Sequence, residues 1–377
     1  MSKYLDGRNT SFWIGEQPTD ITQVAYNELP RVSGDFEKQR TYTDDETITA
    51  KRESKDTVLT GTSVSGDFTV NLRLADNYKK LRQGALQAYD STPVAITAAM
   101  TYTDATKTLA GADFQVLKSG DYFGVVLNTG ETKVVVATAD GTGTDILIAG
   151  LDADATITDV KAEKYTSDDN AIPFMLQKRS IGTDGDGGPD KTYYRTFTGV
   201  EVFQYTLTLA SESILSEAYT LTGMSLQDGS DMPTQGSDVT YDAEQVLGSV
   251  KGVSAIWFDG SKRGCFAQSF DFSIDNQGSE AKAIGTEGAC FLSYGDPMIT
   301  GNVSVYTLKS QPYEFHTLTD SQRIFPFAVE LKDAASGKIL VVSGNCKATT
   351  VEGAPESGAQ ITNMGLKFIG NVSFTYV

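Results

Sequence analysis

Several segments of the chain recur in a fixed order, so the fold must accommodate one pattern twice. Val64-Ser-Gly-Asp-Phe-Thr-Val70 matches Ile299-Thr-Gly-Asn-Val-Ser-Val305 in kind at each position, with Gly66 against Gly301. Each segment leads toward a helix carrying a Tyr, and Gly66 to Tyr78 and Gly301 to Tyr313 are both 12 residues apart. Further on, Pro173-Phe174-Met-Leu-Gln matches Pro326-Phe327-Ala-Val-Glu. Last, Ile214…Tyr219-Thr-Leu-Thr-Gly223 matches Ile361…Leu366-Lys-Phe-Ile-Gly370. Four anchors in one order point to an internal duplication.

The recurring segments have period two. Phe68–Leu74, Val200–Leu209, Phe270–Ile274, Val303–Tyr306 and Leu366–Ile369 alternate apolar and polar residues. Thr, Val, Phe and Tyr fill them, and Gly, Asp, Asn and Ser punctuate them, which predicts a mainly β chain. Two helices are expected. One spans Asp76–Tyr89, with Asp76 as cap and Tyr78, Leu81, Ala85 and Tyr89 on one face. A shorter one starts at Pro312, with Ser310 or Gln311 in the cap region.

The repeat also locates an insertion. From the helix Tyr to the Pro-Phe strand the first copy takes 96 residues and the second 14, a difference of 82. The extra material falls at Ser91–Asn170 and reads as a small β domain, Ig-like or barrel. Phe114–Val126 reads as strand, turn and strand, and Val134–Ala137, Ile146–Ile148 and Ile157–Val160 as further strands. An insertion into a loop projects outward, because a buried one would disrupt the host core. Gln227–Asp238, acidic and rich in turn formers, reads as a linker or long surface loop. The expected map is a first module at 1–90 and 171–250, the inserted domain at 91–170, and a second module at 251–377.

Charge and composition narrow the function. The 377 residues hold 31 Lys and Arg against 49 Asp and Glu, a formal charge of −18. That argues against a protein that grips nucleic acid, but not against one that DNA slides past. With 40% hydrophobic and 10% aromatic residues, disorder is not expected. Cys265, Cys290 and Cys346 are an odd count in a long chain, so a disulfide scaffold is excluded and a reducing compartment is the default. Met1–Gln17 has no apolar stretch of a secretory signal, and no run approaches the length of a membrane helix.

Catalytic constellations are missing, and no catalytic, cofactor-binding or metal-ligating residue is assigned. His316 is the single His, set beside Tyr313 and Phe315, where packing or surface placement is expected. With one His and distant Cys there is no metal spacing, and the Cys read as small strand hydrophobes. Asp184-Gly-Asp-Gly-Gly-Pro-Asp190 lacks the alternating ligands and closing Glu of an EF-hand and reads as a hairpin tip between Phe174–Ile181 and Thr192–Phe197. No Gly cluster leads into Gly-Lys-Ser/Thr, and Asp44-Asp45 and Asp168-Asp169 read as solvated faces.

The ordered pattern resembles the tail tube proteins of long-tailed bacteriophages. In the second copy the resembling residues are Phe270–Asn276, Ile299–Tyr306, the Pro312–Leu318 helix and Pro326–Asp333, with Gly337 at the turn. In the first they are Ile48–Ser54, Gly61–Leu72 and the Tyr78–Leu86 helix. The resemblance implies two tandem tube-like β-sandwich or barrel modules, each with a short flanking helix. It implies a non-enzymatic subunit without cofactors, whose sheets join those of neighbours into stacked rings around a lumen that conducts the genome. Single-module members usually form hexameric rings, so two modules per chain imply a trimeric, pseudo-sixfold ring. The implied setting is a virion tail, synthesised in the host cytoplasm. Implied partners are further copies of the chain, a tape measure protein, a tail terminator and a distal tail protein; DNA passes without specific binding, and no membrane is involved. A knob-like insert outside the tube would obstruct a sheath, which favours a non-contractile tail. Ser33–Asp45 and Gln277–Thr286, charged and poor in large apolar residues, are candidate stacking loops. The first copy lacks a clear counterpart of Phe270–Asn276.

Three alternatives stay open at this stage. One is another virion structural protein, such as a tail terminator, baseplate component or capsid decoration. A second is a carbohydrate-binding, adhesin-like β protein, although Trp13 and Trp257 lie in no obvious aromatic platform. The third, an enzyme, lacks a constellation to support it.

Overall fold

The alternation read from the sequence becomes strand after strand in a computed structural model. It describes residues 10–17, 24–44, 57–182, 191–229, 245–263, 267–284, 286–306, 314–355 and 360–377. The chain begins with β1 (Thr10–Glu16), β2 (Asn27–Glu28), β3 (Ser33–Asp44) and β4 (Thr57–Asn71), then helix α1 (Asp76–Leu86). Next come β5 (Thr92–Thr103), β6 (Thr108–Ala110), β7 (Tyr122–Leu127), β8 (Thr132–Ala137), β9 (Asp145–Ala149) and β10 (Ala155–Thr166). After them follow β11 (Phe174–Gly182), β12 (Lys191–Ala210), β13 (Ser216–Gly223), β14 (Ser225–Gly229) and the single turn α2 (Ser249–Gly252). The remainder holds β15 (Val253–Phe258), β16 (Ser261–Arg263), β17 (Ala267–Asp275), β18 (Ser279–Ala281), β19 (Phe291–Ser293) and β20 (Met298–Tyr306). It ends with α3 (Glu314–Ser321), β21 (Phe325–Lys332), β22 (Ile339–Pro355) and β23 (Gln360–Tyr376). No helix among the described residues is long and apolar enough to cross a membrane.

One pairing order occurs twice. The first ladder runs β3–β4–β13–β12–β11–β1, antiparallel throughout. The second runs β17–β20–β23–β22–β21–β15, again antiparallel. Matching registers tie the two. Phe36 lies opposite Gly66, and Phe272 opposite Gly301. Gly66 also faces Leu221, and Gly301 faces Leu366. A bulge recurs at the same place, between Val202 and Gln204 in β12 and between Ala348 and Thr350 in β22. Carried one strand further, the ladders set Trp13 where the second has Trp257, opposite Gln177 and Ala328.

These registers correct several sequence expectations. Leu221, not Tyr219, stands where Leu366 does, so the last anchor is displaced by two residues. The Pro-Phe anchor shifts likewise: Phe174 pairs with Val200 as Phe325, not Phe327, pairs with Cys346. A two-residue slip keeps every side chain on its face, so apolar alternation alone does not detect it. Ser33–Asp45, expected as a loop, is mostly strand β3, and β3 is the missing counterpart of Phe270–Asn276. Helix α1 stops at Leu86 because Gln87 turns left-handed at φ 53°; Tyr89 is exposed, and Ala75 rather than Asp76 holds the N-cap position. Within Phe114–Val126 the first half is turns rather than strand, with Leu117 N–H donating to Phe114 C=O at 2.9 Å. Gln227–Gly229 belongs to β14. The Asp184–Asp190 tip, Ile48–Ser54, Cys265, the Pro312 start, Tyr313 and the side chain of His316 lie outside the described residues.

Long strands crossing between two layers make each ladder a sandwich. In the first, β3, β4, β13 and the C-terminal half of β12 form one layer, while β1, β11, β14 and the N-terminal half of β12 form the other. Between them the alternation buries Val64, Phe68 and Val70 and leaves Ser63, Ser65 and Thr69 outward. Rings meet across the gap at Phe36–Phe197 and, in the second sandwich, at Phe272–Phe368, with centroids 4.8 and 5.3 Å apart. One apolar core runs through both sandwiches. Helix α1 plugs the first. A buried Arg82 lies on Glu217, with Nε to Oε1 at 2.7 Å and Nη2 to Oε2 at 2.9 Å, and Tyr205 OH also donates to Glu217 at 2.7 Å.

Strands β5–β10 enclose a core of their own, including Met100, Phe114, Phe123, Ile148 and Ile157. They dock on the layer of the second sandwich that holds β15 and β21. The end of β10 pairs with β23, Glu163 opposite Tyr376, and Tyr122, Val134 and Val136 cover Trp257, Ala328 and Val341. Tyr122 meets Trp257 edge to face at 5.5 Å. The matching face of the first sandwich is closed differently, by Val24, Tyr26 and Met175 around Trp13, with the Arg179 guanidinium 4.0 Å over its ring.

Candidate functional site

The two sandwiches join edge to edge. β12 pairs antiparallel with β17, from Gln204 opposite Asp275 to Ala210 opposite Ser269. This fuses one layer of each sandwich into an eight-stranded sheet of order β3–β4–β13–β12–β17–β20–β23–β22. Core contacts follow the joint: Tyr205 of the first sandwich touches Phe272 and Phe374 of the second, at 6.4 and 5.7 Å. The joint is the continuous main-chain ladder expected within one sheet, not a side-chain contact between separate bodies.

At each end this sheet stops at an open edge. Among the described residues β3 pairs only with β4, and β22 beyond Cys346 pairs only with β23. Open edges in a soluble protein are templates for pairing with another chain unless they are blunted. β3 is charged but not blunted by Pro. Lys178 Nζ reaches Asp35 at 2.8 Å and also contacts Glu37, which Arg195 contacts too. Close approach holds β3 in place: a Cβ on Gly34 would lie 1.9 Å from Asp67 C=O, and one on Gly66 would lie 2.0 Å from Asp35 C=O.

One face of the sheet covers the core. The other is open and lined by polar residues, as the opposed pairs Thr206–Ser273, Thr208–Asp271 and Thr300–Lys367 illustrate. On this face, among the described residues, the registers align the carboxylates Asp35, Glu37, Asp67, Asp271, Asp275 and Glu352 with the cations Lys347 and Lys367, while Lys178 and Arg195 reach Asp35 and Glu37 from the other layer. The excess of carboxylates opposes phosphate binding, because like charges repel. Exposed apolar side chains gather at the ends of the strands instead. Val32, Ile214 and Tyr306 lie at one end, and Tyr42, Val58, Leu59 and Met298 at the other.

Chemistry-bearing residues do not converge. Among the described residues no group of three or more His, Cys, Asp and Glu could hold a metal ion. Cys346 is buried in β22, where desolvation pushes its thiol up to about 12, and Cys290 is exposed. Asp168 folds back on its own turn, accepting from Asn170 Nδ2 at 2.8 Å. Burial raises the Glu201 carboxyl, opposed by the Tyr294 hydroxyl that donates to it. Trp13 and Trp257 are both buried, so neither offers a flat ring to a sugar.

Sequence reasoning missed the edge β3, the joint β12–β17 and the equivalence of the two Trp. Phe12-Trp13-Ile14 and Ile256-Trp257-Phe258 did carry a signal, an apolar triplet centred on the chain's only Trp residues. Among curated proteins, none matches this chain. The family model described as phage tail tube protein matches residues 7–365, nearly the whole length. An open-edged double sheet with an excess of carboxylates on its open face is thus accompanied by a chain-long match, and the chain belongs to the phage tail tube protein family.

Proposed function

We propose that this tail tube subunit closes into a ring of three chains with pseudo-sixfold symmetry. Members of the family assemble into an oligomeric tube. The observation that carries the trimer is the internal joint β12–β17, which already connects two four-stranded layers as neighbouring subunits of a single-module ring would be connected. On this reading the chain is a tandem duplication: residues 1–90 and 171–250 form one tube module, 251–377 the other, and 91–170 an inserted domain. Three chains would then supply a closed barrel of 24 strands, eight from each chain.

The open polar face becomes the lumen wall. Its excess of carboxylates and its many hydroxyls favour passage of DNA over adhesion. The apolar strand ends become the surfaces on which rings stack head to tail, a heterologous contact that generates an open filament. Strands β5–β10, docked on the outer layer, lie outside the tube, where they would hinder a contractile sheath; the tail is therefore non-contractile. The subunit is made in the host cytoplasm, encloses a tape measure protein, and ends against a tail terminator and a distal tail protein.

Negative-stain microscopy with mass photometry of the purified protein tests this. Tubes built from rings of three chains are expected. Six chains per ring would overturn the trimer, and discrete rings that never stack would point to a terminator instead.

A further inference from the structure

The two open edges are counterparts of the two edges already paired inside the chain. β3 stands to β4 as β17 stands to β20, with Phe36 opposite Gly66 and Phe272 opposite Gly301. β22 stands to β23 as β12 stands to β13, down to the shared bulge. Because β12 pairs with β17, β22 and β3 carry complementary edges. They cannot meet within one chain, since seven strand spacings of about 4.8 Å separate them by roughly 34 Å.

We infer that β22 of one copy pairs antiparallel with β3 of the next, in the register of the internal joint. This rests on the ring reading above and supplies its residues. Gln204 opposite Asp275 transfers to Thr350 opposite Gln39. Thr206 opposite Ser273 transfers to Glu352 opposite Glu37, and Thr208 opposite Asp271 to Ala354 opposite Asp35.

The transfer exposes a chemical difference between the two joints. The internal one sets neutral Thr206 against neutral Ser273. The joint between chains sets two carboxylates face to face, which is destabilising when nothing compensates them. Lys178 and Arg195, already on Glu37, supply that compensation. They act as positioning residues that let Glu352 of the arriving copy dock.

Cysteine pairs in the full chain, with Cys265, Cys290 and Cys346 replaced by Ser, test the register. Gln39→Cys with Thr350→Cys should oxidise to covalent oligomers ending at a cyclic trimer on non-reducing gels. Glu37→Cys or Thr41→Cys with Thr350→Cys should link poorly, because diagonal neighbours lie about 7–8 Å apart and a disulfide spans Cβ atoms at about 4 Å. Mixing the two single-Cys proteins should give dimers only. Rings that cross-link through a shifted pair, and not through Gln39 and Thr350, overturn the register while leaving the ring reading intact. A folded protein that forms no rings overturns the ring reading itself. In the Lys178→Ala/Arg195→Ala protein, ring assembly should need at least tenfold more protein, and Glu37→Gln in that background should restore it. Unchanged assembly of the double variant overturns the compensating role.

Discussion

Glu217→Gln is the substitution with the largest expected effect on the first sandwich. Both Arg82 and Glu217 are wholly buried, and the carboxylate takes two guanidinium bonds and one phenol bond. Burial is the largest influence and works against the Arg82 charge, but Glu217 together with the neighbouring Tyr376 and Tyr219 more than offsets it and holds the guanidinium protonated well above its usual range. Gln fills nearly the same volume yet leaves that cation uncompensated. Breaking a buried pair from one side costs about 3–5 kcal/mol. At about 2.1 cal/mol/K per residue, 377 residues give an unfolding entropy near 0.8 kcal/mol/K, so Tm should fall by about 4–6 °C. Replacing both partners by apolar residues, Arg82→Met with Glu217→Leu, should recover most of the loss, because no unpaired charge is then buried. Differential scanning calorimetry of the two singles and the double closes the cycle. A Glu217→Gln shift below 1 °C, or a double variant as poor as the sum of the singles, would refute the reasoning.

Three further outcomes are expected. Gly66→Ala should dislodge β3, since its Cβ would lie 2.0 Å from Asp35 C=O, and ring formation should be lost while the outer strands remain folded by circular dichroism. Gly150→Ala drives a methyl to 2.6 Å from the Trp257 ring at a φ of +116°; overpacking of about 1–3 kcal/mol should loosen β5–β10 and expose them to limited proteolysis. Burial raises the Glu163 carboxyl, but bonds from Lys79 and Tyr165 more than offset it, so its pKa is depressed in the folded state. That stabilisation is present above the unfolded value of about 4.3 and is lost as pH falls through the folded one. The Tm gap between wild type and Glu163→Gln should therefore close in acid; a constant gap from pH 7 to pH 3 would count against the assignment.

Much of the fold is legible in the sequence, because half-buried strands print their period. Phe68, Val70 and Leu72 alternate with Thr69 and Asn71, and the structure buries the apolar set. Period two also hides register, which is why the matches at Gly223 and Gly370 lie two residues off the true equivalence. β3 escaped notice because an edge strand needs only one anchored face: among its described residues Phe36 is the one large buried side chain, amid Asp35, Glu37, Lys38 and Arg40. The helix end at Gln87 offered no Gly or Pro to announce it. The candidate site was least legible. An edge is defined by the strand order around it, and no residue of β22 or β3 declares by itself that a neighbour is absent.

The internal joint also has a kinetic meaning. A ring of six separate modules must bring six bodies together, each losing translational freedom. In a three-chain ring half of the lateral ladders form during folding, at the high effective concentration of a tethered pair. If the ring is the proposed trimer, its closure joins three bodies instead of six.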